Sequence, residues 1–205
     1  MKMLVSFLLL YLFAAGAWAQ CSPIVVDTHK DGVRLGPAGR TVSFDVNADG
    51  FPDAVQWVRR GGDEAFLALD RNRNGVVDDG SELFGVGTPL FEGGTAPNGF
   101  VALAQYDQPL LGGNDDGVIS RADAIWPELM LWLDANADGV ATRNEMRRPE
   151  SLGLTSFGTI PRVQRLTDAA GNSLPYWAWA GATGRPARTL MVDVYFLQLE
   201  PDRRP

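Results

Sequence analysis

The sequence predicts an α+β protein: short strands and short helices set around loops rich in Asp, Asn and Gly, followed by a C-terminal antiparallel β-meander. Three observations lead there. Asp/Asn/Gly loops of one pattern recur across residues 45–145, each following or preceding a short apolar run. The apolar runs are too short for long helices and are rich in Val, Phe and Leu, as strands are. The tail from Val163 onward alternates apolar stretches with Gly and Pro breakers.

The first 19 residues read as an address. Lys2 precedes an apolar run of 15 residues from Leu4 to Trp18, and a small-residue Ala17-Trp18-Ala19 site follows. This is the form of a secretory signal peptide, and the run is shorter than the ~20 residues that a membrane span needs. No later stretch is long and apolar enough to cross a bilayer. The expected product is exported, secreted or periplasmic, after cleavage. Cys21 is the sole cysteine, so no internal disulfide can form. Lipid attachment at Cys21 is disfavoured because Gln20, not a small residue, precedes it.

About 186 residues remain after cleavage, room for one domain or a closely packed pair. Residues 20–160 are expected to form the loop module and residues 161–205 the meander packed on it. The chain has 18 basic and 25 acidic residues, a net charge of −7. That balance argues against nucleic acid and anionic membranes as partners and suits cations.

Within the module, strands are expected at Val42–Asp45, Ala54–Val58 and Phe66–Leu69. A helix is expected over Gly99–Tyr106, where Phe100, Leu103 and Ala104 recur at helical spacing. Ser120 is expected to cap a short helix through Ile125 that Pro127 stops. Leu129–Leu133 fits either a strand or a helical turn. In the tail, strands are expected at Val163–Leu166, Leu174–Ala180 and Thr189–Leu199, with turns at Gly171-Asn172 and Gly184-Arg185-Pro186.

The loops carry the chemistry. The first offers Asp45, Asn47, Asp49 and Asp53, and the second Asp70, Asn72, Asn74 and Asp78, followed by Glu82. The third offers Asn114, Asp116 and Ser120, followed by Asp123. The fourth offers Asp134, Asn136, Asp138 and Thr142, followed by Glu145. Calcium takes six to eight oxygens at about 2.3–2.6 Å. Oxygens at positions 1, 3 and 5 converge when the chain curls around the ion, and a glycine at position 6 permits the sharp turn. Position 7 gives a backbone carbonyl (Val76, Val118, Val140), position 9 an oxygen or a water, and position 12 a carboxylate.

The fourth loop meets this scheme throughout. In the second, the closing acid Glu82 comes one residue late. The first has Gln56 and Trp57 where an acid belongs, with Asp63 and Glu64 as candidates to complete it. The third has Gly112 at position 1, and Asp107 is the candidate for that place if Gln108 to Gly113 bulge outward. Asp, Asn and Gly also dominate ordinary turns. Four variants in about a hundred residues, two with a downstream Glu, are hard to explain that way.

The run Phe66-Leu67-Ala68-Leu69-Asp70 through Gly80-Ser81-Glu82-Leu83-Phe84-Gly85 resembles a block of exported bacterial EF-hand-like calcium-binding proteins and of the calcium-loop modules of RTX-type exoproteins. The likeness continues through Asn98-Gly99-Phe100, Tyr106-Asp107, Gly112-Gly113-Asn114 to Asp123, Leu131-Trp132-Leu133-Asp134 and Leu152 to Ser156. It covers roughly residues 22 to 160, and it implies Ca²⁺ binding and export rather than a reaction. One branch of the RTX relatives cuts itself at an Asp-Pro bond. The corresponding spot here is Ser22-Pro23, and no Asp-Pro dipeptide occurs in the chain.

Other chemistry lacks a motif. His29 is the only histidine, which leaves Ser-His-Asp and Cys-His catalysis without context. One His and one Cys do not make a zinc site. Glycine pairs at 61–62 and 93–94 lack the Lys and spacing of a phosphate loop. Trp177 and Trp179 share a strand face and are expected to fill core, as large aromatics mostly do. The sequence therefore supports a non-catalytic exported calcium-binding protein whose ions hold the fold and a protein interface. Its rival is a calcium-dependent adhesion or carbohydrate-binding module that uses the aromatic face.

Overall fold

The computed structural model describes residues 22–184 and 186–198. The expected signal segment, Cys21, Arg185 and the last seven residues lie outside the described residues.

The architecture is mostly antiparallel β, with few short helices. The strands are β1 (Ile24–Asp27), β2 (Thr41–Phe44), β3 (Asp53–Gln56), β4 (Glu64–Leu69), β5 (Val118–Ser120), β6 (Leu129–Trp132), β7 (Met146–Arg147), β8 (Leu154–Gly158), β9 (Arg162–Val163), β10 (Ser173–Ala182) and β11 (Arg188–Tyr195). The one α-helix among the described residues is α1 (Gly99–Ala104), which a single 3₁₀ turn, Gln105–Asp107, extends. Asn98 caps α1 by accepting from the Val101 amide.

One curled sheet runs β5-β8-β10-β11-β1-β4-β6-β7, with β9 alongside β10. The strands β2 and β3 form a separate hairpin in which Thr41 faces Gln56 and Phe44 faces Asp53. This corrects the expected appended meander: β10 and β11 sit in the middle of the sheet, and β11 pairs directly with β1. The first and last described strands are therefore neighbours. A boundary at residue 160 would cut the sheet.

Both faces of the sheet are covered, so β1 and β4 are buried along their whole length rather than alternating. On one face, Ile24, Leu67, Leu131, Phe157 and Met191 pack beneath Phe100 and Leu103 of α1. On the other, Val25, Phe66, Trp132 and Val192 meet Phe44, Val55 and Trp57 of the β2–β3 hairpin. Trp57 stands at the centre of that second core, with ring centroids of Phe44, Phe66, Trp132 and Phe196 between 4.6 and 5.7 Å away.

One further expectation is corrected, and one that was open is settled. Ser120 ends β5 and caps no helix; its hydroxyl accepts from the Ala122 amide in a local turn, and Pro127 sits inside the 3₁₀ turn Trp126–Glu128. The segment that fitted either a strand or a helical turn is a strand over Leu129–Trp132, whose four consecutive residues pair in register with Leu69 to Phe66 of β4.

Candidate metal centre

Each expected loop leaves an ordered element at once. Asp45 follows β2, Asp70 follows β4, Asp107 ends the 3₁₀ turn after α1, and Asp134 comes two residues after β6. The rigid element fixes where the first carboxylate stands, and the following residues curl around it.

The four loops share one hydrogen-bond grammar. In each, the first carboxylate accepts from two successive amides near the tip. Asp45 accepts from Asp49 N at 3.1 Å and Gly50 N at 2.8 Å. Asp70 accepts from Asn74 N and Gly75 N, Asp107 from Asp116 N and Gly117 N, and Asp134 from Asp138 N and Gly139 N. The position-3 carbonyls of Asn47, Asn72 and Asn136 each accept from the position-5 amide at 3.0 Å. The position-5 oxygen then accepts from the position-7 amide in all four, through Asp49, Asn74, Asp116 and Asp138. Position 4 lies in the left-handed region in every loop, at Ala48, Arg73, Asp115 and Ala137, as does the position-6 glycine. Four non-glycine residues in that region at one loop position are a shared constraint of the curl.

Asp107 takes the first position of the third loop. Pro109–Leu111 form the outward bulge as a 3₁₀ turn that Gly112 ends with φ +83°. The Asp115 amide then returns to the Asp107 carbonyl at 2.7 Å.

The closing acids also gather at the loops. Glu82 is buried and accepts from the amides of Arg71, Asn72 and Asp78, so its late position is absorbed by the 3₁₀ turn Gly80–Glu82. Asp78 accepts from the side-chain amides of Asn72 and Asn74, both at 2.6 Å. Glu145 accepts from the Thr142 amide and hydroxyl, which forms a capping box. Asp123 accepts from Ser120 N through one oxygen, while its other oxygen, Oδ1, is buried without a protein partner.

A fifth loop escaped sequence reasoning. Asp27 ends β1 and accepts from Lys30 N, Asp31 N and Gly32 N. Lys30 and Gly32 take the same left-handed positions 4 and 6. Its signal was Asp27, Asp31 and Gly32 at positions 1, 5 and 6, masked by His29 at position 3. Asp63 and Glu64, expected to complete the first loop, belong here instead. Asp63 accepts from the His29 amide at 2.9 Å, and Glu64, directly opposite Asp27 in register, accepts from the Arg34 amide at 2.6 Å. Asp27, Asp31 and Asp63 bring carboxylate oxygens within 4.8 Å of one another. Burial raises the Glu64 carboxyl above its ordinary value, against the Arg34 hydrogen bond, which lowers it.

The loops also lock together. Gly80 N donates to Asp45 O at 2.7 Å, and a Cβ at Gly80 would stand 1.9 Å from Val46 O, so only glycine lets the first loop approach the end of the second. Arg143, between Thr142 and Glu145 of the fourth loop, donates to Asn74 O at 2.8 Å in the second.

The donor set is oxygen almost throughout, the preference of a hard divalent cation. The orphaned Asp123 Oδ1 and the converging carboxylates fit such an ion. Asp27, Asp31 and Asp63 would hold one such ion, and Asp45, Asp70, Asp107 and Asp134 with their partners at positions 3 and 5 would hold others.

The class so defined is an antiparallel β domain with acidic, left-handed loops at its strand ends. The chain belongs to the SPM domain family, whose model matches residues 24–196. It is also 37% identical over 164 residues to the iron-regulated protein FrpA of Neisseria meningitidis serogroup C. That match covers 78% of this chain and 14% of the relative, so the chain spans about a seventh of that protein's length.

Proposed function

We propose that this chain is an exported, non-catalytic calcium-binding domain of the EF-hand-like, RTX-related kind, in which Ca²⁺ ties strand ends together and stabilises the fold. The observation that carries the reading is a burial pattern. Asp27, Asp63, Glu64, Glu82, Asp107, Asp123 and Asp134 are all buried at first or closing positions of loops. None of them pairs with a Lys or Arg among the described residues. Burying carboxylates without counter-charge is unfavourable, and a divalent cation removes that penalty. Export rests on the Leu4–Trp18 run and Ala17-Trp18-Ala19. Among the described residues no helix is long and apolar enough to cross a membrane.

Terbium luminescence tests the site directly, because Trp57 Nε1 lies 2.6 Å from Asp134 Oδ2 and would sensitise an ion in the fourth loop. Excitation of tryptophan should give Tb³⁺ emission that Ca²⁺ displaces and Mg²⁺ does not, since magnesium demands a tighter octahedron. Absence of sensitised emission would refute the assignment of that loop.

The rival reading, a calcium-dependent carbohydrate-binding module, gains support from one correction. Trp177 is half-buried against the second core, but Trp179 is 38% exposed.

A further inference from the structure

Trp177 and Trp179 lie two residues apart on β10, so their side chains leave the same sheet face. Arg162 of β9 stands opposite Trp177 in register, and Arg188 of β11 stands opposite Gly181, on that same face. The Arg188 guanidinium sits 4.3 Å from the centre of the Trp179 ring, and that of Arg162 5.3 Å from the centre of Trp177. The two indoles meet edge to face, with centroids 5.4 Å apart and planes at 86°. This face carries the second core, against which Trp177 and Leu190 pack, and ends at the two exposed arginines.

Charge makes the place unusual. The chain carries a net −7, yet neither Arg162 nor Arg188 forms an ion pair among the described residues. Elsewhere Arg34 pairs with Asp31 and Arg121 with Glu150. A guanidinium held over an indole keeps its N–H donors around its rim, free to take a carboxylate through two parallel hydrogen bonds. The exposed part of Trp179 offers an apolar surface beside those donors. A flat ring carrying a carboxylate satisfies both together: a sugar's C–H face against the indole and its acid group on the guanidinium.

The geometry points to a binding surface for an anionic polysaccharide, with Arg162 and Arg188 taking uronate carboxylates and Trp179 stacking on a sugar ring. An acidic peptide is the weaker match, because strand addition would use a sheet edge and backbone groups, whereas these four side chains stand on a face. The surface lies outside the acidic loops and does not depend on their occupancy.

The experiment titrates the full exported chain, in saturating Ca²⁺, with a hyaluronan oligosaccharide, a neutral chito-oligosaccharide of equal length and polyglutamate of equal charge. Tryptophan fluorescence and calorimetry give the readout. The hyaluronan fragment should bind at least tenfold more tightly than either control. The pair Arg162→Gln and Arg188→Gln, and separately Trp179→Ala, should each weaken it tenfold or more with melting temperature unchanged. Arg188→Lys should fail to restore it, because ammonium cannot make the planar two-bond contact. No binding at millimolar hyaluronan, equal binding of the neutral sugar or of polyglutamate, or binding that survives the double arginine variant would each overturn the proposal.

Discussion

Trp57 Nε1 donates a buried hydrogen bond of 2.6 Å to Asp134 Oδ2 across 77 residues of sequence. The indole that fills the second core thus fixes the first carboxylate of the fourth loop. Hairpin packing and loop geometry become one structural fact.

Trp57→Phe keeps most of the ring but removes the donor. Hydrogen bonds to charged groups contribute about 1.5–3 kcal/mol, so a loss of roughly 2 kcal/mol is expected, plus some for the smaller ring. Denaturant unfolding with and without calcium checks this. The loss should be larger in calcium, where the position of Asp134 matters more.

Asp134→Ala removes the carboxylate that organises the fourth loop, and Glu145→Gln keeps its size but removes charge. Both should weaken one calcium site by tenfold or more while leaving the Asp70 loop intact, read by calorimetry. If both variants bind as wild type does, Glu145 serves only as partner to Thr142 in its capping box.

Gly80→Ala places a Cβ 1.9 Å from Val46 O, against backbone that has little room to yield. Overpacking of this kind costs about 1–3 kcal/mol. The first and second loops should lose affinity together, and the fourth should not, as residue-resolved NMR titration would show.

Asp193 is fully buried, and desolvation lifts its carboxyl from 3.8 to about 6, against a hydrogen bond from Gly99 N that lowers it. The folded protein holds this proton more tightly than the unfolded chain. Its contribution to stability is therefore full below pH ~4 and lost as pH rises through about 6. Asp193→Asn should remove that dependence. With chelator present, the stability difference between wild type and variant should change by about 2 kcal/mol from pH 7 to pH 4.

Local chemistry was legible in the sequence and long-range pairing was not. The loops at Asp45, Asp70 and Asp134 could be read because one residue pattern imposes one curl, whereas Asp107 was only a candidate, since its place depends on the outward bulge at Pro109–Leu111. The Asp27 loop was obscured because His29 stands at position 3, where the other loops carry Asn, although Asp27, Asp31 and Gly32 kept their spacing. That Asp63 and Glu64 serve this loop rather than the first depends on the β1–β4 register, which no local pattern encodes. The same holds for β11 joining β1, and for Trp179 at the edge of a core that fills its neighbour Trp177.

Equilibrium dialysis with ion counting, paired with thermal melting, tests the central claim most directly. Two or more calcium ions per chain are expected at millimolar calcium, the range of extracellular modules. At tenfold excess over Kd each site adds about 1.4 kcal/mol, so two or three sites should raise the melting temperature by roughly 10 °C over the chelated protein. A chain that binds no calcium at millimolar concentration, and melts at the same temperature in chelator, would contradict the account.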